Sequence, residues 1–438
     1  MRPANIDRAA VAAIGSERVD WHFKGMPSWA FGATLGEVAA RRPRLFTDGF
    51  VGPLVVIDKP ALEHNLRTMA EWCARHGLAL APHGKTTMAP QLFAAQLDAG
   101  AWAITVATPS QLRVCRAFGV SRIVLANELV EAPAVRWVAD ELDRDADFEF
   151  VCWVDSARGV ELMTEALAGR TPGRPVDVAV ELGAAGGRTG VRELAEGLAV
   201  AEAVAASPAL RLVGVAGYEG AVAHEATPDA LSTVDEYLGR LRELVVLLAG
   251  AGHLAGLERV FVSAGGSSYF DQVAAAFTAP WPAGIEVLPV VRSGAYLTHD
   301  DGLYRRLSPF GRAHALAGDE PPFRPALRAW AQVLSRPEPG LALLPLGRRD
   351  ASFDQDLPEP QVLRRAGGGP ERPLAGCRVT ALADQHAFLE VGPDVELAVG
   401  DWVGFGLSHP CTVFDKWPLL PVVDADGETV VDLVRTYF

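Results

Sequence analysis

The chain has 438 residues, of which 49% are hydrophobic, and it carries a formal net charge of −14 at pH 7. This length fits one large α/β domain plus a smaller second domain. The acidic balance argues against nucleic acid or an anionic membrane surface as the main partner. The sequence has no apolar run of about 18 residues, no secretory h-region near its start, and five scattered cysteines. These features predict a cytoplasmic protein without a disulfide framework or a membrane span.

The N-terminal part of the chain predicts an extension followed by a repeating pattern. We expect residues 1–52 to be an extension that partly joins a β domain. Residues 53–75 predict a strand and then a helix beginning at Pro60, since proline is favoured in the first turn. From about residue 78, short β-branched runs alternate with amphipathic stretches. The eight runs that predict strands are 78–83, 103–108, 122–127, 148–154, 176–182, 212–218, 259–265 and 285–291.

This alternation predicts the fold class. Strands separated by helices of this length run parallel, and eight such units are the number that closes a barrel. An open doubly wound sheet is the alternative, but no nucleotide-type GxGxxG motif opens a helix here. We therefore predict an α/β fold with a (β/α)8 TIM barrel over 53–298. From 299 to 438, glycine and proline become frequent and short strands follow one another, which predicts a smaller all-β domain.

A lysine follows the first predicted barrel strand, in the sequence PHGKT. Barrel enzymes place their chemistry at the C-terminal ends of the strands, so Lys85 is expected to face the barrel mouth. Burial there would lower the pKa of the amine and make it nucleophilic towards an aldehyde. The alternative for any single loop lysine is a solvated side chain.

Other strand ends supply further polar groups at the same mouth. Arg188 lies in GGRTGV after the fifth strand, and Tyr218 ends the sixth. The glycine-rich turn SAGGSS follows the seventh strand and can cradle a phosphate with its backbone N–H groups. Such a turn is weak evidence alone, but all these elements share one mouth with the lysine.

The motifs PHGKT, GGRTGV, GYEG and SAGGSS resemble the alanine-racemase-like, fold type III family of pyridoxal-phosphate (PLP) enzymes, from about residue 52 to the end. The resemblance implies a PLP-binding barrel followed by a β domain. It also implies a homodimer in which the partner's β domain completes each site. The residues it assigns to PLP are Lys85 as the Schiff-base lysine, Arg188 near the cofactor ring, Tyr218 beside the pyridine ring, and Gly265, Gly266 and Ser267 around the phosphate.

The sequence SHPCTVFDKW near the C-terminus predicts a metal site. On an extended chain, residues two apart project to the same side, so His409 and Cys411 can reach one ion. Imidazole with thiolate favours Zn²⁺, and two protein ligands leave positions open for water or substrate, as in catalytic sites. The alternative is a histidine and a cysteine buried in a core strand.

The same segment resembles the metal site of D-serine dehydratases and similar amino-acid deaminases of this family. Related D-threonine aldolases generally have aspartate at the position of Cys411. The resemblance therefore implies a PLP- and metal-dependent lyase, with Zn²⁺ or another divalent ion such as Mn²⁺. It would convert D-serine, or a similar D-β-hydroxy amino acid, to a 2-oxo acid and ammonia. Retro-aldol cleavage to glycine and an aldehyde stays open, as do a racemase and a non-catalytic PLP-binding protein.

Four further features each have two interpretations. His83 either tunes the environment of Lys85 or caps the strand. His224 either faces the site or lies outside it. We interpret residues 299–301 (His-Asp-Asp) as the junction to the β domain, with a direct role as the alternative. The loop at 347–358, with its two arginines and three aspartates, either contacts a substrate carboxylate or is simply solvated.

Overall fold

The computed structural model describes residues 2–169, 173–310, 312, 316 and 320–438. The strands are β1 Leu54–Asp58, β2 Ala79–Leu80, β3 Ile104–Val106, β4 Arg122–Glu128, β5 Glu149–Val154, β6 Val176–Leu182, β7 Leu210–Gly217, β8 Val260–Ala264, β9 Val287–Val291, β10 Leu327–Gln332, β11 Ser335–Glu338, β12 Leu341–Leu344, β13 Glu359–Arg364, β14 Arg372–Pro373, β15 Cys377–Leu382, β16 Ala387–Val391, β17 Trp402–Gly406, β18 Leu419–Val423 and β19 Val430–Arg435. The helices are α1 Arg8–Ala13, α2 Leu35–Ala40, α3 Lys59–Arg75, α4 Pro90–Asp98, α5 Pro109–Ala117, α6 Ala132–Arg144, α7 Ala157–Leu167, α8 Leu194–Ala206, α9 Pro228–Gly250, α10 Phe270–Thr278, α11 Leu303–Leu307 and α12 Cys411–Phe414. None of the helices in these ranges is long and apolar enough to cross a membrane.

Several helices begin where the sequence supplies both a cap and a proline. The side chains of Asp58, Thr108 and Thr227 accept backbone N–H groups in the first turns of α3, α5 and α9, and each of these helices has proline at its start. Such caps satisfy donors that have no partner within the helix. The predicted helix start at Pro60 is confirmed, because α3 begins at Lys59 with proline in its first turn.

Strands β2 to β9 form one parallel sheet that curls into a barrel. Their order is β2-β9-β8-β7-β6-β5-β4-β3, and a parallel bridge between His83 and Thr105 joins the first strand's end to the second strand. All eight predicted strands are present and the (β/α)8 prediction is confirmed. The carboxyl ends of these strands therefore meet at one mouth, where the polar motifs were predicted to lie.

The barrel interior is filled by a separate cluster of mostly small apolar side chains. Residues within or directly beside all eight strands contribute, with Trp153 and Phe261 as the large aromatic members. The buried members are Ala79, Ala81, Ala103, Val124, Val151, Trp153, Ala179, Ala216, Phe261 and Val290. The opposite faces of the strands pack against the helices in the main core. The packed interior provides a solid floor beneath the mouth, so it is not an open channel.

The remaining strands form a β domain of two sheets. Their orders are β14-β13-β17-β10-β1-β18-β19 and β11-β12-β16-β15. Strand β1 lies in the first of these sheets, antiparallel to β10 and parallel to β18. The predicted barrel range of 53–298 is therefore wrong for this strand, because its backbone hydrogen bonds go to the β domain. The 1–52 segment also packs there, since Phe23 and Leu45 share a core cluster with Trp330 and Trp402.

Candidate active site

A cavity of about 330 Å³ lies at the carboxyl ends of the barrel strands. Its volume falls in the range of small-molecule sites. Groups from both the barrel and the β domain line it. The eight side chains or turns predicted from the sequence all contribute to its wall; these are Lys85, Arg188, Tyr218, Gly265, Gly266, Ser267, His409 and Cys411.

Lys85 lies in a short 3-10 turn, Gly84–Thr86, directly after β2. Gly84 has no room for a side chain, because a Cβ would lie 2.9 Å from Ile104 and 3.0 Å from Phe93. Burial lowers the pKa of the Lys85 amine, and nearby Arg188 lowers it further, whereas Cys411 opposes the shift. Within the described residues the amine makes no hydrogen bond or salt bridge. A half-buried amine of lowered pKa is suited to nucleophilic attack or proton abstraction.

The side chains of His83 and Arg292 flank this lysine at the cavity wall. Burial, and then the charges of Lys85 and Arg292, hold the pKa of His83 well below its usual range, and His83 Nδ1 is buried without a hydrogen-bond partner among the described residues. Arg292 is fixed by donating to Ser263 Oγ at 2.5 Å and to the Gly217 carbonyl at 2.7 Å. Sequence reasoning missed Arg292, although it directly follows the eighth strand. The other residues were selected because they lie at the C-terminal ends of barrel strands.

The tyrosine that ends β7 is held by a second tyrosine. Tyr237 donates its hydroxyl hydrogen to the Leu182 carbonyl at 2.5 Å and accepts the Tyr218 N–H at 2.9 Å, so it joins the ends of β6 and β7. The Arg188 guanidinium lies 5.0 Å from the centre of the Tyr218 ring. These contacts bring the predicted arginine and tyrosine together on one wall of the cavity.

A buried glutamate side chain binds the glycine-rich turn after β8, and the sequence analysis did not anticipate it. The Glu219 carboxylate is fully buried and accepts the N–H groups of Gly265 at 2.8 Å and Gly266 at 2.6 Å. Burial raises the pKa of Glu219, while these amides and Arg292 oppose the rise. A phosphate at this turn would therefore use other donors, and the N–H groups of Ser267 and Gly294 make no hydrogen bond within the described residues.

Replacing Glu219 by glutamine is expected to destabilise the protein by about 1–3 kcal/mol, because one buried glycine N–H would lose its acceptor and face an amide donor. Urea unfolding would measure the loss, and PLP titration would show weaker binding through the displaced turn. Glu225→Gln is the matched control, since Glu225 is exposed. Equal stability and equal PLP affinity in Glu219→Gln and the control would contradict this role.

Three acidic residues lie at neighbouring strand ends, and two of them support the loop that carries Arg188. Asp155 accepts the Gly190 N–H at 3.1 Å, and Glu181 accepts from Thr189, whereas both carboxyl oxygens of Glu128 are buried without a hydrogen-bond partner among the described residues. Burial, then the charges of Glu181 and Asp155, raise the pKa of Glu128 to about 8. A carboxyl group with this raised pKa is largely protonated at neutral pH. The sequence analysis missed all three residues.

The histidine and cysteine reach the cavity by a turn and not by an extended strand. Strand β17 ends at Gly406, His409 has a left-handed φ of 50°, and Cys411 begins the short helix α12. The predicted extended geometry is therefore wrong, yet both side chains line the cavity. Cys411 Sγ donates to Thr86 Oγ1 at 3.3 Å, one residue from Lys85. The β domain thus delivers this pair to the barrel mouth of its own chain.

The surroundings of His409 contain carboxylates. His409 Nδ1 lies 2.5 Å from Asp354 Oδ2. Burial alone would lower the pKa of His409, but Cys411 and Asp354 outweigh it and raise the pKa to about 9. Asp354 belongs to the loop at 347–358, so this loop packs against the predicted metal pair. No group of three or more histidine, cysteine, aspartate or glutamate side chains able to hold a metal occurs among the described residues.

The other weaker sequence candidates lie outside the cavity wall. His224 is exposed and does not line the cavity. His299 is buried against Phe323, and burial lowers its pKa to about 4. Asp300 caps the start of α11 by accepting the N–H groups of Gly302 and Tyr304. Tyr304 itself lines the cavity and was missed, because nothing in the sequence around it signals a site.

The cavity has the groups that PLP requires. Arg188 and Arg292 lie beside it. The Lys85 amine and the N–H groups at the turns after β8 and β9 have no hydrogen-bond partner in the part of the chain that the structure describes. For a divalent ion, His409 and Cys411 supply an imidazole and a thiol, a donor pair suited to Zn²⁺. The residues present therefore fit both groups.

Comparison with known proteins covers both parts of the chain. Residues 57–279 match the family described as alanine racemase, N-terminal domain, and residues 326–423 match a putative serine dehydratase domain. D-threo-3-hydroxyaspartate dehydratase from Delftia sp. (strain HT23) is 30% identical over 397 residues, which cover 86% of this chain and 94% of that protein. D-threonine aldolase from Arthrobacter sp. is 28% identical over 345 residues, which cover 78% of this chain and 81% of that protein.

Among solved structures, D-threonine aldolase from Filomicrobium marinum has a TM-score of 0.73 and 23% identity, and the match covers 88% of this chain and 95% of that chain. At this identity the likeness bears on the fold alone. Within the sequence matches, the serine dehydratase segment contains both His409 and Cys411.

Proposed function

Because this chain belongs to the alanine-racemase-like, fold type III family of PLP enzymes, we propose that it is a PLP- and metal-dependent lyase. It eliminates water from D-serine or another small D-β-hydroxy amino acid, and the net products are a 2-oxo acid and ammonia. The observation that carries this proposal is the convergence of Lys85, His409 and Cys411 on one cavity.

Lys85 has two functions in this proposal. Its amine attaches PLP, which when bound supplies an electron sink for the substrate's α-carbon. Once displaced by substrate, the same amine accepts the α-proton, for which its lowered pKa suits it. Arg188 and Tyr218 hold the cofactor ring, and the Ser267 turn with Gly294 holds the phosphate. The α-proton and the β-hydroxyl group are lost as one molecule of water. A second water molecule then hydrolyses the product to the 2-oxo acid and ammonia, so the atoms balance.

His409 and Cys411 assist departure of the hydroxyl group. Hydroxide is a poor leaving group, and Zn²⁺ on this pair would act as a Lewis acid towards it. The hydrogen bond from the half-buried Cys411 to Thr86 keeps the pair next to Lys85. An enzyme that only racemised, or a protein that only carried PLP, would have no need of this pair.

Retro-aldol cleavage is the second candidate, because a relative named D-threonine aldolase covers 78% of this chain. In that reaction the β-hydroxyl loses its proton and the bond between the α- and β-carbons breaks, giving glycine and an aldehyde. The thiolate of Cys411, where those aldolases generally have aspartate, favours elimination in our proposal.

A product assay separates these functions. The purified protein, with PLP and Zn²⁺, is incubated with D-serine, D-threonine, D-threo-3-hydroxyaspartate and their L-enantiomers. We expect 2-oxo acid and ammonia in equal amounts from a D-substrate. Glycine with an aldehyde would replace the dehydratase proposal by the aldolase one. Racemised substrate, or no reaction with any substrate, would reject a lyase.

We also propose a head-to-tail homodimer with shared sites. The loop at 347–358, beside His409, exposes the apolar side chains of Phe353 and Leu357 at 45% and 37%, and a second chain would cover such surface. Analytical ultracentrifugation at assay concentration is expected to give about twice the chain mass. An active species that sediments as a monomer would contradict the dimer. Phe353→Glu should weaken the dimer, whereas Val399→Glu, at an exposed site elsewhere, should leave it unchanged.

A further inference from the structure

The backbone at His409 is fixed in an unusual conformation. Its φ of 50° lies in the left-handed region, which side-chain-bearing residues adopt only when the surroundings impose it. The His409 N–H donates to Asp300 Oδ2 at 2.9 Å, and the hydroxyl of Ser352 donates to the preceding carbonyl, that of Ser408. The position of the imidazole is therefore set by groups outside its own turn.

A carboxylate also fixes the imidazole ring. His409 Nδ1 lies 2.5 Å from Asp354 Oδ2, and Thr412 Oγ1 donates to the other carboxylate oxygen, Oδ1, at 2.8 Å. With both oxygens engaged, Asp354 cannot rotate without losing a hydrogen bond. The contact places the Nδ1 hydrogen towards Asp354, so Nε2 is the ring nitrogen on the side of Cys411, with which the imidazole interacts.

We propose that Asp354 is a positioning residue for the metal pair: it fixes the tautomer and orientation of His409 so that Nε2 binds the divalent ion together with Cys411 Sγ. This inference rests on the proposed function. Histidines that bind metals generally donate their second ring N–H to a carboxylate, carbonyl or water, and loss of that partner costs about 10–100-fold in metal affinity or activity. Because Asp354 belongs to the loop at 347–358, this role makes the loop part of the site and not only a surface feature.

A neighbouring aspartate provides the matched control. Asp356 lies in the same loop and is bound by Ser408 Oγ at 3.0 Å and by Arg306 Nη2 at 2.9 Å. It therefore anchors the loop to the same turn but does not contact the imidazole. If Asp354 only held the loop in place, Asp354→Asn and Asp356→Asn should have the same effect.

The experiment measures metal affinity directly on the full-length, PLP-loaded protein. Zn²⁺ is titrated in competition with a chromophoric chelator, and Co²⁺ is added separately to follow the thiolate-to-metal absorption band of Cys411. For Asp354→Asn we expect about 10–100-fold weaker Zn²⁺ binding, with unchanged absorbance of the Lys85-bound PLP. Asp356→Asn should bind Zn²⁺ within about threefold of wild type. Excess Zn²⁺ should restore part of the turnover of Asp354→Asn.

A second variant guards against misfolding. Thr412→Val removes the hydrogen bond to Asp354 Oδ1 and should weaken Zn²⁺ binding in the same direction by a smaller factor. Wild-type affinity in both Asp354→Asn and Thr412→Val would overturn the inference, and so would equal losses in Asp354→Asn and Asp356→Asn. If the wild-type protein binds no more Zn²⁺ than His409→Ala does, the proposed function is wrong about the metal. That outcome is distinct from the outcomes that overturn the role of Asp354 alone.

Discussion

Replacing Lys85 by alanine is expected to lower kcat/KM by at least about 10³-fold, equivalent to about 4 kcal/mol in the activation barrier. In our proposal the variant loses both the amine that attaches PLP and the base that takes the α-proton, and a positioned base alone contributes about 10²–10⁴-fold. Borohydride reduction should fix PLP to the wild-type peptide that contains Lys85 and to no peptide of the variant. Absorption spectra of the two proteins before reduction would show the same difference.

Lys59→Ala is the control for this substitution. Lys59 is a half-exposed surface lysine paired with Glu63 at 3.8 Å, and its removal should leave PLP attachment and turnover at wild-type values. PLP trapped at another lysine in Lys85→Ala, together with retained activity, would show that the attachment site was wrongly assigned. An added primary amine should restore part of the turnover if proton abstraction is the missing function.

The sequence was sufficient to predict the barrel because its strands and helices alternate in clear blocks. Each of the eight strands lies within two or three residues of its predicted position, since β-branched runs and proline-capped helices specify them locally. Strand β1 could not be placed this way. Its apolar sequence suits either domain, and only the pairing with β10 and β18, about 270 and 365 residues away, decides its sheet.

The site was predictable to the extent that its residues lie at strand ends. Lys85, Arg188 and Tyr218 occupy such positions, and all line the cavity. The roles of Glu219 and Asp354 were missed, although the sequence singled out the loop at 347–358, because their partners, the Gly265 amide and the His409 ring, come from other parts of the chain. The turn at His409 was wrongly predicted as extended, because its left-handed backbone depends on Asp300, whose role is tertiary. Local pattern carries no information about such contacts.

Replacing Cys411 by alanine is expected to remove the divalent ion and to lower turnover by about 10³-fold, while PLP stays attached to Lys85. The reason lies in our proposal for the cavity, in which the barrel would hold PLP and the turn at His409 from the β domain would hold the ion. A single imidazole is a poor site for Zn²⁺, and loss of a Lewis acid costs several kcal/mol at the leaving hydroxyl group. Metal analysis, the PLP absorption spectrum and the rate of 2-oxo acid formation measure the three quantities separately.

Removal of the ion from the wild-type protein with a chelator should lower turnover in the same way. Added Zn²⁺ should restore the turnover of the chelated wild-type protein but not that of Cys411→Ala. Cys377→Ala is the matched control, because Cys377 is a free, half-buried cysteine in β15 of the second sheet. Cys411→Asp keeps an anionic ligand but hardens it, so this variant should accept Mn²⁺ better than wild type does. If the chelated wild-type enzyme still eliminates water at its full rate, the ion takes no part in catalysis, and His409 and Cys411 are structural residues of the β domain.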